Sequence, residues 1–130
     1  AYFHALDSEK LLHEIEKRHD ALDAPWPVFV QVNIDGEASK AGFAPDAVAA
    51  FVAVARKCAA VRVEGLMAIP EPRHPVEQMR PSFQKLRAIA ESCGGSLKLS
   101  MGMSEDFEVA IEEGAHWVRV GRRLFGERRP

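Results

Sequence analysis

The chain alternates short apolar runs with stretches of helical periodicity along its length. β-branched and aromatic residues dominate runs such as Val28–Val32, whereas between the runs apolar residues recur every three or four positions. The order reads β-α-β-α-β-α-β-α-β, with few hairpin signals. Strands joined through helices pair in parallel, with right-handed crossovers. The alternation therefore predicts an α/β protein built on a parallel sheet.

The expected elements have approximate bounds. The predicted strands are Tyr2–Ala5, Val28–Val32, Val61–Ile69 (broken by Gly65), Leu97–Met103 and His116–Val120. The expected helix starts are the pair Asp7-Ser8, Pro45 and Ser104, and Gly94-Gly95 is expected to end the third helix. The Pro-rich segment Pro70–Pro81 is long and irregular enough to be a functional loop.

The length of the chain limits which parallel fold it can complete. Its 130 residues predict a single domain over 1–130. A whole (β/α)₈ barrel takes about 250 residues. Five strands fit either an open doubly wound sheet or about five-eighths of a barrel. Periodicity alone leaves both architectures open.

Charge and hydropathy limit the partners. The formal net charge is −2, and a nucleic-acid or anionic-membrane surface would need a basic excess. The apolar runs are shorter than the roughly 18 residues of a membrane span. No leader pattern opens the sequence, so we expect a cytoplasmic protein in which Cys58 and Cys93 are free thiols. The histidines share no metal-ligand spacing, and we expect no metal site.

Candidate binding residues follow the predicted strands, because parallel α/β folds bind ligands at the carboxyl ends of their strands. Ser104 offers a hydroxyl beside exposed helix amides, and Gly121-Arg122 offers further amides and a charge. From the residues alone, Ser104 fits a simple helix cap as well as a phosphate ligand. Arg119 sits within the last strand, where its partner is either a structural carboxylate or a ligand acceptor.

Several motifs appear together in one order. They are Val28-Phe-Val-Gln-Val-Asn33, Ser39-Lys-Ala-Gly42, Glu64-Gly-Leu-Met-Ala-Ile69, Leu99-Ser-Met-Gly-Met-Ser104, Val118-Arg-Val-Gly121 and Leu124-Phe-Gly126. As a set they resemble the carboxyl-terminal part of the pyridoxal phosphate (PLP) homeostasis protein family, the YggS/PROSC family, which is related to the amino-terminal barrel of alanine racemase. The resemblance implies about five β/α units of a PLP-binding TIM (β/α)₈ barrel, without the amino-terminal strands.

The resemblance also assigns cofactor-binding roles, residue by residue. Ser104, Gly121 and Arg122 would surround the PLP phosphate, Arg119 would face the pyridine nitrogen, and Asn33 and Met67 would line the ring. Arg122 stands where many members have Ser or Thr, and Ala5 stands where His-Ser is usual. The Schiff-base lysine of the family lies on the first barrel strand and is expected outside this chain. Lys40 matches a different family lysine.

The function implied by the resemblance is PLP binding in vitamin B6 homeostasis, as a non-catalytic carrier or regulator. PLP-dependent apo-enzymes are the expected recipients, and the intact protein is expected to be a monomer. The open edges of this segment would be covered by further barrel residues or another chain. One alternative is a PLP-dependent amino-acid racemase, which would need a lysine and an opposing tyrosine; the only tyrosine is Tyr2. Another is a five-stranded α/β module for a different phosphorylated ligand or a protein partner.

Overall fold

A computed structural model of the chain describes residues 4–19, 24–35, 42–70, 75–103 and 106–119. The strands are β1 (His4–Leu6), β2 (Trp26–Gln31), β3 (Val61–Met67), β4 (Lys98–Met103) and β5 (Trp117–Arg119). The helices are α1 (Glu9–Arg18), α2 (Val48–Arg56), α3 (Arg80–Cys93) and α4 (Phe107–Glu112). Short 3₁₀ turns, Pro45–Ala47 and Val76–Met79, lead into α2 and α3.

All five strands form one parallel sheet in the consecutive order β1-β2-β3-β4-β5. A doubly wound sheet reverses its strand order at a switch point, whereas barrel strands follow one another without reversal. Right-handed crossovers between consecutive strands place every helix on the same face of the sheet. Periodicity left open a doubly wound sheet and a part of a barrel, and the strand order shows the barrel-type arrangement.

The two faces of the sheet carry different side chains. Leu6, Val30, Leu66 and Leu99 are aligned across four strands and belong to the hydrophobic core beneath the helices. The helices contribute buried side chains at helical spacing, such as Phe83, Leu86 and Ala90 of α3. Strand residues one position away point to the opposite, concave face. The core therefore lies between the sheet and the helices, and alternate strand residues such as Phe29 lie on the opposite face of the sheet.

A bulge changes the pairing of β2 with β3. Val28 pairs with Val63, whereas Phe29 pairs with Gly65, so Glu64 is an extra residue on β3. The strand continues through Gly65 instead of breaking there, contrary to the sequence-based expectation. At Gly65 the neighbouring strand approaches so closely that a Cβ atom would lie 2.1 Å from the carbonyl oxygen of Lys98. Only glycine fits this position.

Other expected boundaries also need correction. Ser8 caps α1 as predicted, because its hydroxyl accepts a hydrogen bond from the Leu11 amide at 3.2 Å. The cap position of α4 is occupied by Asp106, since the helix begins at Phe107, and the predicted cap Ser104 lies outside the described residues. Much of the segment predicted as a loop over 70–81 is structured, since it contains the 3₁₀ turn and the start of α3.

Candidate functional site

The carboxyl ends of the central strands form a continuous edge. The Val32 amide donates to the carbonyl oxygen of Met67 at 2.8 Å, and the Ala68 amide donates to that of Ser100 at 3.2 Å. These bonds extend the parallel ladder beyond the ends of β2 and β3. Asn33, which follows Val32, and Met67 are consequently held on adjacent strands at the same edge. The structure thus brings together two of the residues predicted to line a ring.

Asn33 is anchored by a returning segment of chain. Its backbone amide donates to the Phe43 carbonyl, and the Phe43 amide donates to the Gln31 carbonyl, each at 2.9 Å. The Phe43 ring also stacks on Phe51 of α2, with centroids 4.1 Å apart. Gly42 has a φ of +116°, and a Cβ there would lie 2.9 Å from the Asn33 nitrogen. The position of Asn33 therefore depends on helix α2 and on Gly42.

The concave face of the sheet has an apolar floor near this edge. Phe29 and Met67 are only 3% and 5% exposed, yet neither belongs to the core cluster under the helices. Register explains the difference, because Phe29 pairs with Gly65 and Met67 with Gln31, one position away from the core-facing row. Sequence reasoning missed Phe29. The signal that could have identified it is the alternation along the strand, where Val28, Val30 and Val32 share one face and Phe29 lies on the other.

The last strand completes the edge at backbone level. Arg119 ends β5, where it pairs with Met103 of β4 after an irregularity in the register. Its backbone is thus placed at the carboxyl edge, and its side chain lies outside the described part of the structure. Ser104, Gly121 and Arg122, together with Lys40, also lie outside the described residues. The roles predicted for these residues stay predictions.

A carboxylate cluster links the start of α3 to the end of α4. Arg80 donates to Glu112 at 2.7 Å and to Glu113 at 2.6 Å, and it also bonds Glu77. The hydrogen bond from Arg80 lowers the pKa of the exposed Glu77 carboxyl, and the three carboxylates raise the pKa of the guanidinium. Arg80 thus faces three carboxylates, so the cluster ties two helices together instead of forming an anion site.

The cysteines are two free thiols on the helix side. Cys58 donates from Sγ to Glu16 at 3.2 Å, which joins the end of α2 to α1. Burial raises the pKa of both the Cys58 and Cys93 thiols. Raised pKa values keep a thiol protonated and unreactive near neutral pH. These groups therefore act as packing residues.

Two features are absent from the described residues, a metal-ligand cluster and a membrane-spanning helix. Among those residues, no three of the His, Cys, Asp and Glu side chains come together in a way that could hold a metal ion. Over the same residues, none of the helices has the length and apolar character needed to cross a membrane.

The chain is similar in sequence to known proteins over almost its whole length. The sequence model described as "Alanine racemase, N-terminal domain" matches residues 3–129. The chain is 41% identical to the pyridoxal phosphate homeostasis protein of Pseudomonas aeruginosa over 128 residues, which is 98% of this chain and 56% of that protein. It is also 41% identical to the protein of the same name from Aquifex aeolicus, covering 97% of this chain and 58% of the relative. The chain thus spans a little over half the length of these relatives.

Solved structures give a consistent picture of the fold. PipY of Synechococcus elongatus without PLP superposes with a TM-score of 0.84 at 29% identity, covering 95% of this chain and 61% of PipY. The same protein with PLP bound superposes with a TM-score of 0.79 at 28% identity, covering 95% and 60%. The described α/β sheet is therefore similar in arrangement to that of PipY, whose structure is known both without PLP and with PLP bound.

Proposed function

The chain belongs to the alanine racemase N-terminal domain family, and from that premise we propose that it binds PLP at the carboxyl edge of its sheet. We further propose that the protein of which it forms the matched part works in PLP homeostasis as a carrier or regulator. The names of its relatives in Pseudomonas and Aquifex, and the PLP bound in one PipY structure, support this assignment.

The observation that carries the proposal is the convergence of strand ends. Asn33 follows β2, Met67 ends β3 and Arg119 ends β5, and the consecutive parallel order puts all three strand ends on one edge. The carboxyl edge is where barrel proteins bind ligands. Residues 34 to 86 positions apart in sequence therefore lie on the same edge of the sheet for a structural reason that is independent of the resemblance.

The residues at this edge suit a pyridine ring. Phe29 and Met67, at 3% and 5% exposure, form a packed apolar layer that would support a ring from beneath, and Asn33 adds a polar side chain at the edge. A flat heteroaromatic ring needs such a combination, because its faces are apolar and its edge carries hydrogen-bonding atoms. Ser104, Gly121 and Arg122 would hold the phosphate through their backbone amides, and Ser104 would add its hydroxyl.

Arg119 supports a carrier role over transamination. When bound, PLP supplies an electron sink for carbanions. A guanidinium cannot accept a proton and stays charged at any ordinary pH. Facing the ring nitrogen, Arg119 would keep that nitrogen unprotonated, which weakens the sink. Such a site suits storage and delivery of PLP better than transamination.

Covalent attachment is assigned to residues other than those of this chain. The family lysine belongs to a strand with no counterpart in these 130 residues, and Lys40 corresponds to another position. The chain by itself is therefore expected to bind PLP weakly and without a covalent bond. We place the whole protein in the cytoplasm as a monomer that hands PLP to apo-enzymes.

A titration of the chain with PLP tests the proposal. Tryptophan fluorescence should report saturable binding of PLP. Free pyridoxal, which lacks the phosphate, should compete poorly for the site. Arg119→Glu should weaken binding and change the absorbance spectrum of the bound cofactor, whereas Arg18→Glu at the exposed end of α1 is the matched control. Unchanged affinity and spectrum in Arg119→Glu would refute the ring contact.

Borohydride reduction separates covalent from non-covalent binding. Reduction of a Schiff base fixes PLP to its lysine, and mass spectrometry then detects the added mass. The expected result is no added mass on the 130-residue chain. PLP retained after reduction and denaturation would contradict the assignment of the lysine to another segment.

A further inference from the structure

An imidazole takes the place of a backbone acceptor where β5 joins the sheet. The His116 amide donates to the Leu99 carbonyl at 2.9 Å, and the Leu99 amide donates back to His116 Nδ1 at 3.1 Å. In a regular parallel ladder the second bond would end on the carbonyl of the residue two positions before His116, which is Gly114. Gly114 instead ends the turn after α4, with a φ of +102°. His116 therefore supplies the acceptor that the turn removes.

The bond lies at the point where the register of β5 is set. Ser100 pairs with Trp117, and the next pairing joins Met103 to Arg119, so three steps along β4 match two along β5. A strand of three residues has few ladder bonds with which to resist a slip. The reciprocal pair between His116 and Leu99 stands immediately before the irregularity. It is therefore well placed to fix the strand.

We propose that His116 is a positioning residue: its Nδ1 fixes the register of β5 against β4 and thereby sets where Arg119 stands at the carboxyl edge. The first half of this inference rests on the described backbone and the imidazole alone. The second half, that PLP binding depends on His116, rests on the proposed function. The imidazole itself lies three residues before Arg119, near the opposite end of the strand, and is not a ligand of the cofactor.

The surroundings of His116 allow a clean substitution. The residue is exposed and lines an open cavity of about 540 Å³ between α3 and α4. Side chains of similar size can therefore replace the imidazole without a steric clash. The amide oxygen of Asn is as many bonds from Cα as Nδ1 of His, whereas that of Gln is one bond further away. Asn can thus accept from the Leu99 amide, and Gln cannot do so from the same place.

The experiment compares His116→Asn with His116→Gln in the full chain. Amide hydrogen exchange, read by NMR at Leu99, reports the bond, and the Trp117 and Arg119 amide shifts report the register. We expect His116→Asn to keep wild-type values. In His116→Gln the Leu99 amide should exchange about three- to tenfold faster, the range that matches one hydrogen bond of ordinary net strength. The Trp117 and Arg119 shifts should move with it, and PLP affinity should fall by about the same factor.

A matched control is His13→Gln on α1, where an exposed histidine contacts Glu16; it should change none of these readings. Equal Leu99 exchange in the Asn and Gln variants would overturn the register role. Faster exchange in His116→Gln with unmoved Arg119 shifts, or with unchanged PLP affinity, would overturn the positioning role. If wild-type chain does not bind PLP, the proposed function fails, while the Leu99, Trp117 and Arg119 readings still decide whether His116 sets the register.

Discussion

Replacing Gly65 with alanine should destabilise the chain by about 2 kcal/mol, because the new methyl group meets backbone and not a movable side chain. The added Cβ would lie 2.1 Å from the carbonyl oxygen of Lys98, 2.7 Å from its carbonyl carbon and 2.9 Å from its nitrogen. Real carbon–oxygen contacts are longer by roughly 1 Å. Strands β3 and β4 must therefore separate, which stretches the ladder through all three of their paired positions.

The magnitude follows from two opposing effects. Overpacking a tight site costs about 1 to 3 kcal/mol, and a rigid backbone neighbour puts Gly65 at the upper end of that range. Alanine recovers about 0.5 to 1 kcal/mol, since it has less freedom than glycine to lose on folding. The net loss is about 2 kcal/mol, which in urea lowers the unfolding midpoint by about 1 M for a slope of about 2 kcal/mol per M.

Urea unfolding followed by circular dichroism gives the measurement. The control is Val54→Ala on α2, since the Val54 side chain is 52% exposed. This change shortens an exposed helix side chain and introduces no clash. The Gly65 variant should therefore lose clearly more stability than this control. A Gly65→Ala chain within about 0.5 kcal/mol of wild type would refute the close approach of β3 and β4.

Three further perturbations test other contacts. Arg56 donates to the carbonyls of Cys93, the last residue of α3, and Gly94, its C-cap, at 2.9 and 2.7 Å. Arg56→Gln should lower the free energy of unfolding in urea by about 1 kcal/mol, and a wild-type midpoint would contradict this cap. Glu77 has a lowered pKa because of its bond from Arg80, so the ion pair stabilises the fold above the ordinary carboxyl pKa of 4.5 and that stability is lost as pH falls through the lowered value. Arg80→Gln should therefore flatten the acid side of the stability profile, and a profile parallel to wild type would count against the pair. Gly42→Ala should displace Asn33 and weaken PLP binding about tenfold by fluorescence titration, the effect of about 1.4 kcal/mol; unchanged affinity would show that the Asn33 anchor does not matter to the site.

The alternation of apolar runs and helical stretches is visible in the sequence because it depends on local periodicity. That pattern was enough for the α/β class, for the parallel sheet and for the cap at Ser8. The end of α3 at Gly94 was predictable for the same reason, since a glycine with positive φ is a local stop signal. The motif set also identified the family, which the match over residues 3–129 confirms.

The order and register of the strands could not be read from the sequence, because pairing depends on contacts between distant residues. Only the tertiary structure decides that the strands follow one another without reversal, that Glu64 is a bulge and that Gly65 faces the backbone of Lys98. Periodicity treats Phe29 like its valine neighbours, whereas the register puts it on the concave face beside Met67. His116 likewise reads as an ordinary polar residue, and it becomes an acceptor for Leu99 only because the turn after α4 takes away the regular carbonyl. Local chemistry determined which elements form, and the spatial pairing of those elements decided which residues meet at the site.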